Sequence, residues 1–125
     1  MIKVIHKKHS KKYENVFYIG RGSPLGNPYT SIQGRETLAK FVVSSREESI
    51  ELYRTYLLEC IEKKDKEVCD MLNSIYKLAV DSDVYLSCYC SPKSCHGDVV
   101  KEIIESFIKK KNELNNDGIQ LSLFD

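Results

Sequence analysis

Apolar positions recur along this chain with two periods, and the places where the period changes divide it into elements. Ile2 to His6 and Asn15 to Ile19 are short runs rich in β-branched and aromatic residues, separated by a polar, lysine-rich stretch ending at Glu14. They predict two strands, the first either paired as a hairpin or lying at a sheet edge. The ten residues from Gly20 to Tyr29 contain three glycines and two prolines. No helix or strand interior accommodates that density, so a loop is expected.

A short helical segment is expected from Glu36 to Val42. Ser45 followed three positions later by Glu48 is a capping-box signature. Ile50, Tyr53, Leu57, Cys60 and Ile61 then keep helical spacing, which predicts a helix from Glu47 to Lys63. A second helix, Lys66 to Val80, places Cys69, Leu72, Ile75, Tyr76 and Ala79 on one side. Asp83 to Tyr89 alternates as a strand does and runs into a loop from Cys90 to Cys95. A third helix follows from Gly97 to Lys110, with Val99, Val100, Ile103, Ile104 and Phe107 inward. Asn115-Asn116-Asp117-Gly118 then breaks the pattern.

This order predicts an α/β fold: a small two-layer or three-layer domain over residues 1–111 with a short, partly parallel, Rossmann-like sheet. Residues 112–125 are expected to form a flexible linker and tail. Helical material between the strands at 16–19 and 84–88 favours a parallel pair, because parallel strands need a long crossover. Both unusual loops then leave the same carboxyl edge of the sheet, where open α/β sheets bind ligands.

Composition narrows the classes. At 125 residues, 42% hydrophobic and 30% charged, the chain has the size and balance of one globular domain. No window approaches the apolar length of a membrane span, so a cytoplasmic protein is expected. The net charge of +1 argues against a generally basic nucleic-acid coat. Locally, however, Lys3, Lys7, Lys8, Lys11 and Lys12 crowd the N-terminus with His6 and His9, and Lys109 to Lys111 close the last predicted helix. Either patch can meet phosphate; either also reads as solvated lysines, those at a helix end complementing its dipole.

Two loops carry the candidate chemistry. After the second strand, Gly20, Arg21 and Gly22 can present backbone N–H groups to an anion, with Arg21 and Arg35 as bidentate donors. The Gly-Lys-Ser/Thr ending of a P-loop and the dinucleotide fingerprint are both absent, and a structural turn explains the glycines equally well. In the second loop, Cys88, Cys90, Cys95 and His96 supply three thiols and an imidazole, enough for a tetrahedral zinc site, although the spacing is irregular for zinc. Cys90 and Cys95 also read as a redox dithiol, with Cys95 activated at a helix N-terminus. His96 and Asp98 read as acid/base groups. Finally, Cys packing, a turn at Pro92 and dipole compensation by Asp98 read as purely structural. These alternatives stand open. Cys60 and Cys69, within helical patterns, read as small buried apolar residues.

The segments Tyr18-Ile19-Gly20-Arg21-Gly22-Ser23-Pro24-Leu25-Gly26-Asn27-Pro28, Arg46-Glu47-Glu48 and Cys88-Tyr89-Cys90-Ser91-Pro92-Lys93-Ser94-Cys95-His96-Gly97-Asp98 resemble a family of small domains of bacteria and their phages, named only as a domain of unknown function. The likeness covers roughly residues 1 to 110; family members often carry Trp where this chain has Tyr89. It implies that Gly20, Arg21, Asn27, Cys90, Cys95, His96 and Asp98 belong to one site, and it carries no reaction.

The segment Gln120-Leu121-Ser122-Leu123-Phe124 resembles the pentapeptide by which bacterial polymerases and repair proteins bind the β sliding clamp. Gln120 suits a groove rim, and Leu121, Leu123 and Phe124 suit apolar pockets. Packing of these side chains onto the domain itself is the alternative. The expectation is therefore a clamp-associated accessory protein of DNA replication or repair whose α/β domain binds a nucleotide or nucleic acid. The other readings are a nucleotide-processing enzyme and a zinc-stabilised module that occupies the clamp.

Overall fold

The computed structural model describes residues 1–30, 41–42, 45–89 and 95–115. Three strands, β1 (Ile2–His6), β2 (Val16–Tyr18) and β5 (Val84–Cys88), form a parallel sheet in the order β1-β5-β2. The expected parallel pair is β2 with β5, in register from Val16 opposite Tyr85 to Tyr18 opposite Ser87. β1 occupies the other edge, aligned from Ile2 opposite Val84 to His6 opposite Cys88. The first two strands therefore do not form a hairpin; β5 lies between them, and β1 takes the edge position that was the other expectation.

The lysine-rich stretch after β1 winds into a 3-10 segment, Lys7–Lys12, capped by His6, whose Nδ1 accepts the Lys8 N–H at 3.1 Å. Asn15 then takes the left-handed conformation (φ 55°), which its short polar side chain tolerates. Its Nδ2 donates to Asp83 O, fastening the turn to the start of β5.

Helix α1 (Arg46–Glu62) begins at Ser45, whose side chain accepts the Glu48 N–H at 3.1 Å, as the sequence signature predicts. Helix α2 (Lys66–Ala79) is capped in the same way by Asp65 on Val68. Helix α3 (His96–Asn115) runs past the expected stop at Lys110 and through the position where a linker was expected to begin. Phe41–Val42, expected as the end of a helix, is a strand instead. This β4 pairs in parallel with β3 (Tyr29–Thr30), its two β-favouring residues following a neighbour rather than a period.

The core lies between the helices and one face of the sheet. Tyr53, Leu57, Leu72, Ile75, Val84, Leu86, Val100 and Ile104 are all essentially inaccessible. Each such side chain stabilises the fold by about 1.5–3 kcal/mol. The Arg54–Glu102 ion pair between α1 and α3 (2.9 Å) is substantially exposed on both sides, and pairs of that kind contribute about 0–1 kcal/mol. Apolar packing therefore decides how these helices meet.

Candidate functional site

All three strands of the sheet point the same way, so β1, β2 and β5 end together at one carboxyl edge. This brings the strand ends that precede the two loops to the same edge, together with residues that neither loop contains. His6 and Tyr89 meet edge-on with ring centroids 5.9 Å apart, and Tyr18 meets Tyr89 at 6.1 Å. The Lys7 ammonium sits 4.7 Å above the Tyr18 ring. Tyr89 is 63% exposed, which makes it the open ring of the group. Burial, together with Tyr89 and Cys88 nearby, pushes the Tyr18 phenol above its ordinary range, while Arg21 opposes that shift. His9, on the adjoining 3-10 segment, is held below its usual value by lost hydration and by Lys12, Lys8 and His6. The edge is basic and aromatic.

The glycine loop is closed mostly by its own groups. Ser23 donates to Gly20 O through both its N–H and its hydroxyl, and the Gly26 N–H donates to Ser23 O. Tyr18 Oη donates to Arg21 O at 3.0 Å. Gly20 makes room for that ring, since a Cβ there would fall 2.3 Å from Tyr18 Oη. Gly22 has φ 96°, a conformation other residues resist.

Arg21 Nε donates to Asn27 O at 3.2 Å, which spans the loop. Asn27 is buried, and its Nδ2 donates to Ser49 Oγ on α1 at 2.9 Å. Tyr53 Oη on the same helix donates to Leu25 O at 2.7 Å. Asn27, which the family likeness groups with the ligand-binding residues of the site, anchors the loop to α1 through its bond to Ser49. Beyond Arg21, a depression of about 380 Å³ is walled partly by Asp65 and Glu67. Those carboxylates disfavour an anion, whereas the Lys7 ammonium on the sheet side favours one.

In the second loop the structure brings Cys88 and Cys95 together, with Sγ atoms 3.4 Å apart in the core. Cys95 precedes α3, its Sγ accepts the Gly97 N–H at 3.3 Å, and its own N–H donates to Asp98 Oδ2 at 3.2 Å. This is a capping box with cysteine at the cap and aspartate three residues on. His96 is buried, its ring edge-on to Tyr53 at 5.0 Å and its Nε2 2.5 Å from Ile19 O. Of the four expected metal ligands, Cys88 and Cys95 are adjacent, while His96 turns its Nε2 to a backbone carbonyl. Among the described residues no group of three or more His, Cys, Asp or Glu side chains could hold a metal ion.

Cys90, Arg35 and the segment containing Gln120, Leu121, Leu123 and Phe124 lie outside the described residues. Tyr18 and Tyr89 have no sequence signal of their own as members of the site, and His6 and Lys7 read from sequence only as part of a basic patch that can meet phosphate. The available signal was positional: Tyr18 and Tyr89 each stand just before one of the two loops, and His6 closes the strand in register with Cys88.

Comparison with known proteins adds a family. The model of the domain of unknown function DUF4326 matches residues 2–106, a span that takes in the glycine-rich and cysteine-rich segments and the first half of α3. No curated protein and no solved structure matches the chain significantly. Among the described residues, no helix is long and apolar enough to cross a membrane.

Proposed function

The chain belongs to the domain-of-unknown-function family DUF4326, and from that premise we propose that its domain binds a nucleotide or a short single strand of nucleic acid at the carboxyl edge of the sheet. The observation that carries this reading is the grouping of the His6, Tyr18 and Tyr89 rings beside Lys7. An exposed ring offers a base a stacking surface, and a neighbouring ammonium offers its phosphate a counter-charge. Binding is favoured over turnover by the engagement of the two expected acid/base groups. The His96 ring is buried on a backbone carbonyl, and the Asp98 carboxylate caps a helix.

The address of this cytoplasmic binding module is the sliding clamp, through Gln120, Leu121, Leu123 and Phe124. That part of the proposal rests on the peptide's likeness to clamp-binding segments and stands independently of the ring site.

Two titrations test the two parts separately. Adenosine monophosphate and short oligothymidylate are titrated against the full chain by calorimetry at two salt concentrations. Tyr89→Ala should weaken binding by roughly 5-fold to 150-fold, the equivalent of about 1–3 kcal/mol of stacking, and Lys7→Gln should reduce the salt dependence. No binding of either probe, or binding indifferent to Tyr89, refutes the ring site. A β clamp is titrated in parallel, with affinity expected to vanish in Leu123→Ala/Phe124→Ala. Failure of that arm removes the address and leaves the ring site standing.

A further inference from the structure

We propose that Cys88 and Cys95 form a reversible dithiol–disulfide couple whose oxidant is a small peroxide. The pairing differs from the one that spacing suggests, Cys90 with Cys95, and it comes from where the fold puts the sulfur atoms. Cys88 is the last residue of the central strand, paired with His6 of β1 on one side and directly following the last β2 pair, Tyr18 with Ser87, on the other. Cys95 is held by the capping contacts of Asp98 and Gly97. Two independently fixed backbones thus bring the Sγ atoms to 3.4 Å. A disulfide needs about 2.05 Å, so the closing movement is small, on the order of an ångström.

The surroundings fit that role. Cys88 and Cys95 are 1% and 3% exposed, which favours a small oxidant over a protein disulfide. Gly97 keeps space beside the sulfur: a Cβ there would meet Val4 Cγ1 at 3.0 Å, Ile19 Cδ1 at 3.1 Å and Cys95 Sγ at 3.3 Å. The Gly97 N–H, which donates to Cys95 Sγ, marks that sulfur as the one to react first, because it supports developing negative charge.

The chemistry balances with hydrogen peroxide. The Cys95 sulfur attacks one peroxide oxygen, the O–O bond breaks, and the departing hydroxide takes the thiol proton as water. The resulting sulfenic acid is attacked at sulfur by Cys88. The S–O bond breaks, and hydroxide leaves with the Cys88 proton as a second water. Two thiols are oxidised by two electrons and one peroxide is reduced to two waters. The bridge ties the strand end that carries Tyr89 to the helix start that carries His96, so it would fix one wall of the carboxyl edge.

The test uses the full chain, purified under reducing conditions, freed of reductant, treated with hydrogen peroxide, alkylated and mapped by peptide mass spectrometry. Of the five cysteines, those at 60, 69 and 90 should remain alkylatable. Cys88 and Cys95 should appear in one linked peptide with the loss of two hydrogens, and dithiothreitol should reverse it. Cys90→Ser should leave that linkage intact. A bridge containing Cys90, a sulfinic acid at Cys95 without a bridge, or five alkylated thiols after peroxide overturns the proposal. So does near-stoichiometric zinc that protects both thiols, which would make the pair part of a metal site. Mapping the unaltered chain keeps the proposal testable even if Cys88→Ser or Cys95→Ser fails to fold.

Discussion

His96 Nε2 lies 2.5 Å from the carbonyl oxygen of Ile19, across 77 positions of sequence. A carbonyl only accepts, so this nitrogen carries the proton and donates. The bond joins the exit of β2 to the first residue of α3, and with it the glycine loop to the cysteine loop. Both residues are buried, Ile19 completely. The contact therefore operates where an unmade hydrogen bond is costly.

Replacing His96 by Ala should destabilise the chain by about 2–4 kcal/mol, combining an orphaned carbonyl with the loss of a buried ring. Urea unfolding followed by circular dichroism measures this directly. A loss below about 0.5 kcal/mol, the scale of an ordinary surface substitution, would mean that His96 holds nothing together.

At the same helix start, Asp98→Ala removes the acceptor for the Cys95 N–H. Cap losses of this kind cost about 0.5–2 kcal/mol. Asp98→Glu keeps a carboxylate that can reach back to the cap and should stay within about 0.5 kcal/mol of the parent. Thermal unfolding of the two variants should rank them in that order.

Two glycines should fail differently. At Gly26 an added methyl would lie 2.8 Å from Gly20 O and 2.9 Å from the Arg21 Cα, and neither backbone atom can swing aside. Gly26→Ala should cost about 1–3 kcal/mol, in the range of overpacking. At Gly20 the obstacle is the Tyr18 side chain, which can rotate away. Gly20→Ala should cost less stability but should change the near-ultraviolet dichroism of the tyrosines, because Tyr18 leaves both Arg21 O and Lys7.

Tyr53 makes stability depend on alkaline pH. Burial, with smaller contributions from Tyr56, Cys60 and Cys95, holds its phenol well above the ordinary value of 10.0. A raised folded value leaves stability intact while both states are protonated. As pH rises past the unfolded value, only the unfolded chain ionises, and stability falls until the folded value is reached. Unfolding free energy should therefore decline above about pH 10, the free tyrosine range. Tyr53→Phe should flatten that decline, while costing about 1–3 kcal/mol at neutral pH through the unsatisfied Leu25 carbonyl. An unchanged alkaline slope in Tyr53→Phe would assign the decline to other tyrosines, of which Tyr18 and Tyr76 are also raised by burial.

The three helices were legible because their apolar residues repeat over many turns. Tyr53, Leu57, Leu72, Ile75, Tyr76, Val99, Val100 and Ile104 all emerge buried on the faces their spacing predicts. The caps at Ser45 and Asp98 are equally local, being made within four residues. β3 and β4 are too short to carry a period, and each is defined only by the other. The site was half legible: glycine and cysteine motifs announced the loops and the lysine-rich stretch announced a basic patch, but nothing local groups Tyr18, Tyr89, His6 and Lys7 until the strands are placed side by side.

By itself, the sequence determined where the chain turns, which helix faces are apolar and that two unusual loops follow two strands, because these properties depend on neighbours a few residues apart. Tertiary structure decided that β5 enters between β1 and β2, and everything at the carboxyl edge follows from that. It seats His6 beside Tyr89, binds His96 to Ile19, and sets Cys88 rather than any other described thiol against Cys95. These pairs have no local signature, since the burial of Val84, Leu86 and their partners on β1 and β2 selects them, and that burial exists only once the sheet has formed.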